Sequence, residues 1–366
     1  MNDITQTANE IEDFTDFQNY SEGPTTDSND FICDDVIQLQ FFHTILLPLI
    51  YSAVFLFGIT GNGLLLTVLL KRRDPLRITE IYLLHLAVSD LLLLVTFPFA
   101  VIQGLNSWVF GDFLCKLVGL LNRINFLCGS LLLACIGIDR YLAIVHAVTS
   151  LQSRRPRTVH QTCAVLWLIS LVVSVPHMAF LGVTKSFNDP NRLVCTFHNH
   201  GLHANNWNLA NRLITLMLGF LLPLVIMIYC YTAVVSTLCR SQRGLEKQGA
   251  IRLALLVTMV FCLCWLPYNL AIMVDTLVVL GILPEQSCWA RARLAEGVSV
   301  TESIGYTHSF LNPILYAFVG VRFRADLLRL LYRSGCGQVC APVLGGEGFN
   351  RVSVSEMATT TTTTTI

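Results

Sequence analysis

The sequence predicts an all-α membrane protein. The expected architecture is a seven-transmembrane helix bundle with its N-terminus outside, followed by a short amphipathic helix on the membrane surface. Three observations carry this. Of the 366 residues, 54% are hydrophobic and only 13% charged, about half the charge of an ordinary soluble domain, and mean hydropathy is +0.60. Seven separate stretches each reach the roughly 20 apolar residues that a bilayer core requires. Lys and Arg gather in alternate short loops, which fixes orientation.

Residues 1–43 form an acidic outer arm. They hold Asp3, Glu10, Glu12, Asp13, Asp16, Glu22, Asp27, Asp30, Asp34 and Asp35 and no Lys or Arg. So few apolar residues cannot fold alone, so the arm is expected to be disordered. Its start, MNDITQTANE, lacks the basic flank and apolar run of a cleaved signal peptide, so the first apolar helix is expected to direct insertion. Asn19-Tyr20-Ser21 is a glycosylation sequon, which makes Asn19 a candidate glycan site.

The bundle is expected over 44–320, with spans near 44–70, 79–104, 113–146, 158–181, 208–238, 250–280 and 295–319. Lys71, Arg72, Arg73 and Arg77, then Arg154, Arg155 and Arg157, then Arg240, Arg243 and Lys247 occupy the cytosolic loops. Asn62, Asp90, Pro98, Pro176, Pro223, Pro267 and Pro313 interrupt the apolar spans. A proline inside a helix frees carbonyls that neighbouring groups must satisfy. A lone carboxylate such as Asp90 needs a partner or an ion. Over 321–333, Phe323, Leu327, Leu328 and Leu331 recur at helical spacing opposite Arg322, Arg324, Arg329 and Arg333, the pattern of a helix lying on a membrane. Cys336 and Cys340 follow it as candidate palmitoylation sites. The remainder, 334–366, is a disordered cytosolic tail with Ser353, Ser355 and a threonine tract that starts at Thr359 and Thr360.

Of the 13 cysteines, most fall inside spans and read as small apolar residues. Cys33, Cys115, Cys195 and Cys288 fall on the outer, oxidising side. Two disulfides are expected there, and the sequence alone allows three pairings. No metal-like spacing is present.

Charge inside a membrane helix is costly and usually functional, and the stretch LLLACIGIDRYLAIVHAV places Asp139-Arg140-Tyr141 at the end of one. This motif, with Gly61-Asn62, Leu86-Ala87-Val88-Ser89-Asp90, Trp167, Pro223 with Tyr231, Cys264-Trp265-Leu266-Pro267 and Asn312-Pro313-Ile314-Leu315-Tyr316, resembles the rhodopsin-like G-protein-coupled receptors in all seven spans. Thr96-Phe97-Pro98, Trp108-Val109-Phe110-Gly111, Glu302 and the outer Cys33 and Cys288 resemble a chemokine receptor of the CXC type. FPFAV, GVRFRADLLRLL and the Ser/Thr-rich tail are most similar to the subfamily of follicular B cells. Ala100 stands where many chemokine receptors have tryptophan.

The resemblance implies a multi-pass receptor of the plasma membrane that binds a CXC chemokine and activates an inhibitory-type heterotrimeric G protein. It implies bridges Cys115–Cys195 and Cys33–Cys288. Glu302 is the acid that receives the ligand's N-terminal amine, with Asp275, Tyr268, Tyr51 and Trp108 at matching pocket positions. Tyr20, near Asp16 and Glu22, resembles a sulfation context. Asp90 resembles a sodium-binding acid, with Asn125 and His308 nearby in pattern, but Gly129 replaces the usual third-span serine and removes one oxygen ligand. No other cofactor is implied. Trp265 and Pro267 form the pivot of the sixth span, and Asn312, Pro313 and Tyr316 a latch facing Tyr231. Arg140 pairs with Asp139 at rest and faces the G protein when the sixth span swings out. Receptor kinases and arrestin act on the tail, and membrane lipids hold the amphipathic helix.

Three rival classes fit less well. A retinal protein or pump needs a lysine in the seventh span, and the only lysines are Lys71, Lys116, Lys185 and Lys247. A scavenging receptor usually alters the Asp-Arg-Tyr stretch, which is intact. A receptor for another peptide does not explain the Cys33 and Cys288 pair. No nucleophile, base and oxyanion set of an enzyme is legible, and nothing suggests nucleic-acid binding.

Overall fold

A computed structural model describes residues 42–72, 75–146, 155–185, 191–197, 204–240, 246–283, 288–319, 323–327 and 330. Asn19, Tyr20, Cys33, Cys336, Cys340, Ser353, Ser355, Thr359 and Thr360 lie outside the described residues.

The first span is α1 (Leu47–Leu70), entered through a π-turn, Phe42–Leu46. Pro48 sits in its first turn, where its missing N–H leaves no bond unmade. The second span is two helices, α2 (Ile78–Leu94) and α3 (Phe97–Leu105). Pro98 explains the break. The Thr96 hydroxyl lies 2.6 Å from the Leu93 carbonyl and 2.8 Å from Asn122 Oδ1, so the break is bonded rather than frayed. The third span is α4 (Gly111–Ile144) and the fourth α5 (Pro156–Ala179). The fifth is α6 (Ala204–Leu216), a π-turn over Met217–Leu221 and α7 (Leu222–Arg240). The sixth is α8 (Glu246–Val279). The seventh is α9 (Cys288–Tyr306) and α10 (His308–Val319), interrupted at Thr307.

Among the described residues, six helical columns are long and apolar enough to cross a membrane: Thr44–Leu70, Ile78–Leu105, Gly111–Ile144, Pro156–Ala179, Leu209–Arg240 and Ile251–Val279. The seventh falls short by composition, because α9 carries Arg291, Arg293, Glu296 and Glu302. It nonetheless packs lengthwise against α8 and α1.

The third span is the hub. It packs against the second, fourth and fifth spans. Leu127, Leu132, Leu133 and Ile136 on α4 are fully buried among Leu86, Leu93, Leu94 and Phe97. Large apolar side chains on the outside, such as Leu56, Phe57, Leu168, Val172, Val225 and Leu263, are exposed. That is how a helix apolar all round is satisfied in a bilayer. Gly61 lets the first span sit directly on the seventh, since a Cβ there would lie 2.8 Å from Pro313 Cβ.

One element departs from the expected all-helical reading. β1 (Leu181–Lys185) and β2 (Leu193–Phe197) form an antiparallel hairpin on the outer side, with Val183 opposite Cys195. Val183, Thr184, Val194 and Thr196 favour strand. The Asn188-Asp189-Pro190 turn signal between them was readable, but an apolar-run count passes over strands of five residues.

At the cytoplasmic end, Phe323–Leu327 is helical, which is the start of the expected amphipathic helix. Leu327 is buried and Phe323 packs against the core, so its apolar face meets protein here. Arg72 donates to Glu80 Oε1 at 2.8 Å and lies 3.5 Å from Asp326 Oδ2, tying this segment to the first loop and second span.

Candidate ligand cavity and switch core

The outer half of the bundle encloses a cavity of about 340 Å³. Tyr51, Trp108, Tyr268 and Glu302 all line it, which brings four of the expected ligand residues together. Glu302 Oε1 accepts a hydrogen bond from the Tyr306 hydroxyl at 2.8 Å. Among the described residues no cation pairs with Glu302. Arg212 on the fifth span pairs with Asp275. Asp275 thereby bridges the fifth and sixth spans and is not among the residues that line this cavity. Tyr51 stacks on Phe97 at 5.1 Å and bonds Ser303 Oγ at 3.1 Å. Trp108 is buried, and its indole N–H donates to the Gly111 carbonyl at 2.8 Å, while its backbone N–H donates to Leu193 O at 2.8 Å. It lines the cavity, and its backbone N–H ties it to the hairpin.

The Cys115–Cys195 bridge is formed, with a Cα separation of 5.5 Å. It pins β2 to the top of α4, in which Cys115 lies fully buried rather than beyond the helix. The Cys33–Cys288 pairing lies outside what the structure describes.

Tyr306 and Arg123 are among the cavity residues that sequence reasoning missed. Tyr306 holds Glu302, and its aromatic neighbours Tyr51, Phe97 and Trp265 place it at the cavity floor. Arg123 on α4 also lines the cavity. Its signal was present: an arginine inside a lipid-length helix, the same cost argument that singled out Asp90.

Beneath the cavity, Trp265 packs on Phe126 at 4.5 Å, Tyr306 at 5.5 Å, Tyr268 at 5.6 Å and His308 at 5.8 Å. Its indole N–H has no acceptor among the described residues, so shape alone sets its orientation. Gly305 makes the fit possible, since a Cβ there would lie 2.7 Å from Trp265 Cε3. Gly305→Ala is therefore expected to lower stability by about 1–3 kcal/mol through overpacking. The check is the thermal midpoint of the solubilised protein, and an unchanged midpoint would mean that Trp265 turns aside freely. Pro267 lies two residues on, inside α8.

Asp90 is fully buried. Asn125 Nδ2 donates to its Oδ1 at 3.1 Å and Asn312 Nδ2 to its Oδ2 at 2.9 Å, while His308 Nε2 lies 3.5 Å from Oδ1. Asn62 ties in through Ser309 O at 2.7 Å. The two asparagines present N–H donors to the carboxylate, and Gly129 offers no oxygen. A hard cation requires converging oxygens, and this arrangement holds, beside the Asp90 carboxylate, the Asn125 and Asn312 side-chain oxygens, both buried without a hydrogen-bond partner among the described residues. It is a hydrogen-bonded joint between the second, third and seventh spans.

At the inner end, Arg140 Nε donates to Asp139 Oδ2 at 3.1 Å, and its Nη2 reaches both Asp139 and Thr79. This is the expected Asp139–Arg140 pair, with an additional tie to the second span. The Tyr141 hydroxyl lies 3.0 Å from His146 Nε2 and 3.5 Å from the Tyr229 hydroxyl. Tyr231 bonds Thr258 at 3.2 Å, joining the fifth span to the sixth rather than to Tyr316. The Tyr316 hydroxyl has no partner among the described residues.

Comparison with known proteins places this geometry. Residues 61–316 match the family described as 7 transmembrane receptor (rhodopsin family). The C-X-C chemokine receptor type 5 of Rattus norvegicus is 41% identical over 349 residues, covering 95% of this chain and 93% of the relative. The type 5 receptor of Homo sapiens is 41% identical over 324 residues, 88% and 87% of the two chains. The C-X-C chemokine receptor type 3 of Capra hircus is 43% identical over 304 residues, 83% and 81%. These are receptors and not enzymes, and the apolar helices make this chain a multi-pass protein of the plasma membrane. The chain belongs to the rhodopsin family of seven-transmembrane receptors and, within it, to the C-X-C chemokine receptors.

Proposed function

We propose that this receptor binds the B-lymphocyte chemoattractant, a CXC chemokine, and activates inhibitory-type G proteins to drive chemotaxis and calcium signalling. The observation that carries the reading is Glu302, an acid in the outer cavity held by a tyrosine hydroxyl and by no cation among the described residues. Intramembrane acids need a positive partner, and the ligand's N-terminal amine supplies one. Likeness to type 5 receptors supports the choice of chemokine.

The acidic arm gives affinity and speed. Chemokines are small basic proteins, and ten carboxylates without a cation attract them at long range. Replacing those ten acids with amides is expected to slow association about tenfold at low salt and less at physiological salt, where screening is stronger. Stopped-flow or surface-capture kinetics at two ionic strengths check this, and an unchanged rate would remove the arm from the mechanism. A glycan on Asn19 and a sulfate on Tyr20 would tune the same encounter.

Inside, Asp139-Arg140-Tyr141 receives the G protein, with Trp265, Pro267, Asn312, Pro313, Tyr316 and Tyr231 as the moving core that the ligand biases. The tail, phosphorylated at Ser353, Ser355, Thr359 and Thr360, becomes anionic and recruits arrestin after receptor kinases act. Cys336 and Cys340, when acylated, hold the amphipathic helix to the lipid.

The test is G-protein activation in cells that express the full chain, challenged with a panel of CXC chemokines. The expected result is a pertussis-toxin-sensitive response to the B-lymphocyte chemoattractant. Uptake of chemokine without G-protein activation would overturn the signalling half of the proposal. A response to a different CXC chemokine would overturn the choice of ligand and leave the coupling intact.

A further inference from the structure

Arg123 is a cation without an acid. It lies on α4, two turns below Cys115, and lines the same cavity as Glu302. Its Nη2 donates to Asn211 Oδ1 at 2.7 Å, to Asn211 O at 3.1 Å and to the Thr215 hydroxyl. All three acceptors are neutral. Its Nε is buried without an acceptor, and among the described residues no carboxylate pairs with it. An arginine in a membrane span is costly unless it pairs or faces water, and an unpaired one marks a functional site. Glu302, the carboxylate that lines the same cavity, is instead held by Tyr306. The cavity therefore keeps a guanidinium and a carboxylate apart, each fixed by uncharged neighbours.

We propose that Arg123 is the anion subsite of this cavity and takes an acidic side chain from the N-terminal segment of the chemokine while Glu302 takes its amine. The inference rests on the proposed chemokine reading and adds a specificity-determining residue to it. A guanidinium fork matches a carboxylate in two parallel bonds. A ligand carboxylate competes for Nη2 with Asn211 and Thr215, which lie in the last two turns of the helix that precedes the π-turn of the fifth span. Phe126, one turn below Arg123 on the same helix, packs on Trp265 at 4.5 Å. The subsite thus lies between the ligand, the fifth span and the aromatic core. A ligand segment that lacks an acid leaves a desolvated charge unpaired, so the subsite rejects as well as selects.

The test uses the full-length receptor at measured surface density and the chemokine that activates it in the panel above. Chemokine variants change each acid ahead of the first cysteine to its amide, singly. Arg123→Gln is expected to raise the half-maximal concentration about tenfold or more, and Arg123→Lys to restore part of that loss. One amide variant is expected to lose as much on the natural receptor and nothing further on Arg123→Gln. Additive losses, or unchanged potency in Arg123→Gln, overturn the subsite while the chemokine reading stands. Should Arg123→Gln fail to reach the surface, the amide series on the natural receptor decides, and equal potency across it overturns the proposal. Silence of the natural receptor to the whole panel overturns both.

Discussion

Changing Cys115 and Cys195 together to serine is expected to abolish the chemokine response and to lower the thermal midpoint of the solubilised receptor by roughly 5–15 °C. The bridge closes a sequence separation of 80 residues. A disulfide over such a loop contributes about 2–5 kcal/mol, mostly by restricting the unfolded chain. Its loss also frees the hairpin that borders the cavity. Other ties remain: Cys195 N donates to Gln103 Oε1 at 2.9 Å, Arg192 donates to Gly104 O at 2.8 Å, and Trp108 N donates to Leu193 O at 2.8 Å. These bonds contribute about 1 kcal/mol each. They hold the hairpin less tightly than a covalent bond. A midpoint unchanged in the double variant would show that these contacts suffice.

Glu302→Gln is expected to weaken signalling by about 10–100-fold and to change chemokine affinity by less than about threefold. The amide is nearly isosteric, and its oxygen still accepts from Tyr306, so the cavity keeps its shape. What disappears is a charge-assisted bond to an amine, worth about 1.5–3 kcal/mol. Because the proposed arm supplies most of the affinity, the loss falls on the step that follows binding. Parallel radioligand displacement and G-protein activation on the same cells separate the two, and equal losses in both would assign Glu302 to binding alone.

The bundle was legible because the bilayer imposes length and hydrophobicity together. Breaks within spans were less so. The interruption at Thr96 is foreshadowed by Pro98, but the π-turn at Met217–Leu221 and the break at Thr307 depend on what packs against them. The hairpin was missed because its strands are short and lie outside any apolar run. In the cavity, Glu302, Tyr51, Trp108 and Tyr268 were found from motif positions. Arg123 was passed over because Leu-Asn-Arg-Ile-Asn-Phe sits within an apolar span and belongs to no motif. Asp275 was read as a pocket residue, and only the crossing of the fifth and sixth spans reveals that it pairs with Arg212.

Arg72 serves at two moments in the life of the chain. During biogenesis it is one of the positive charges that keep the first loop in the cytosol and so decide which way the protein is threaded. After folding it is largely shielded, with only 11% of its side chain exposed, and bridges Glu80 and Asp326. A topogenic charge has become a rivet between the beginning of the bundle and the segment that follows its end. The translocation signal is thus not a leftover of insertion but a part of the finished cytoplasmic frame.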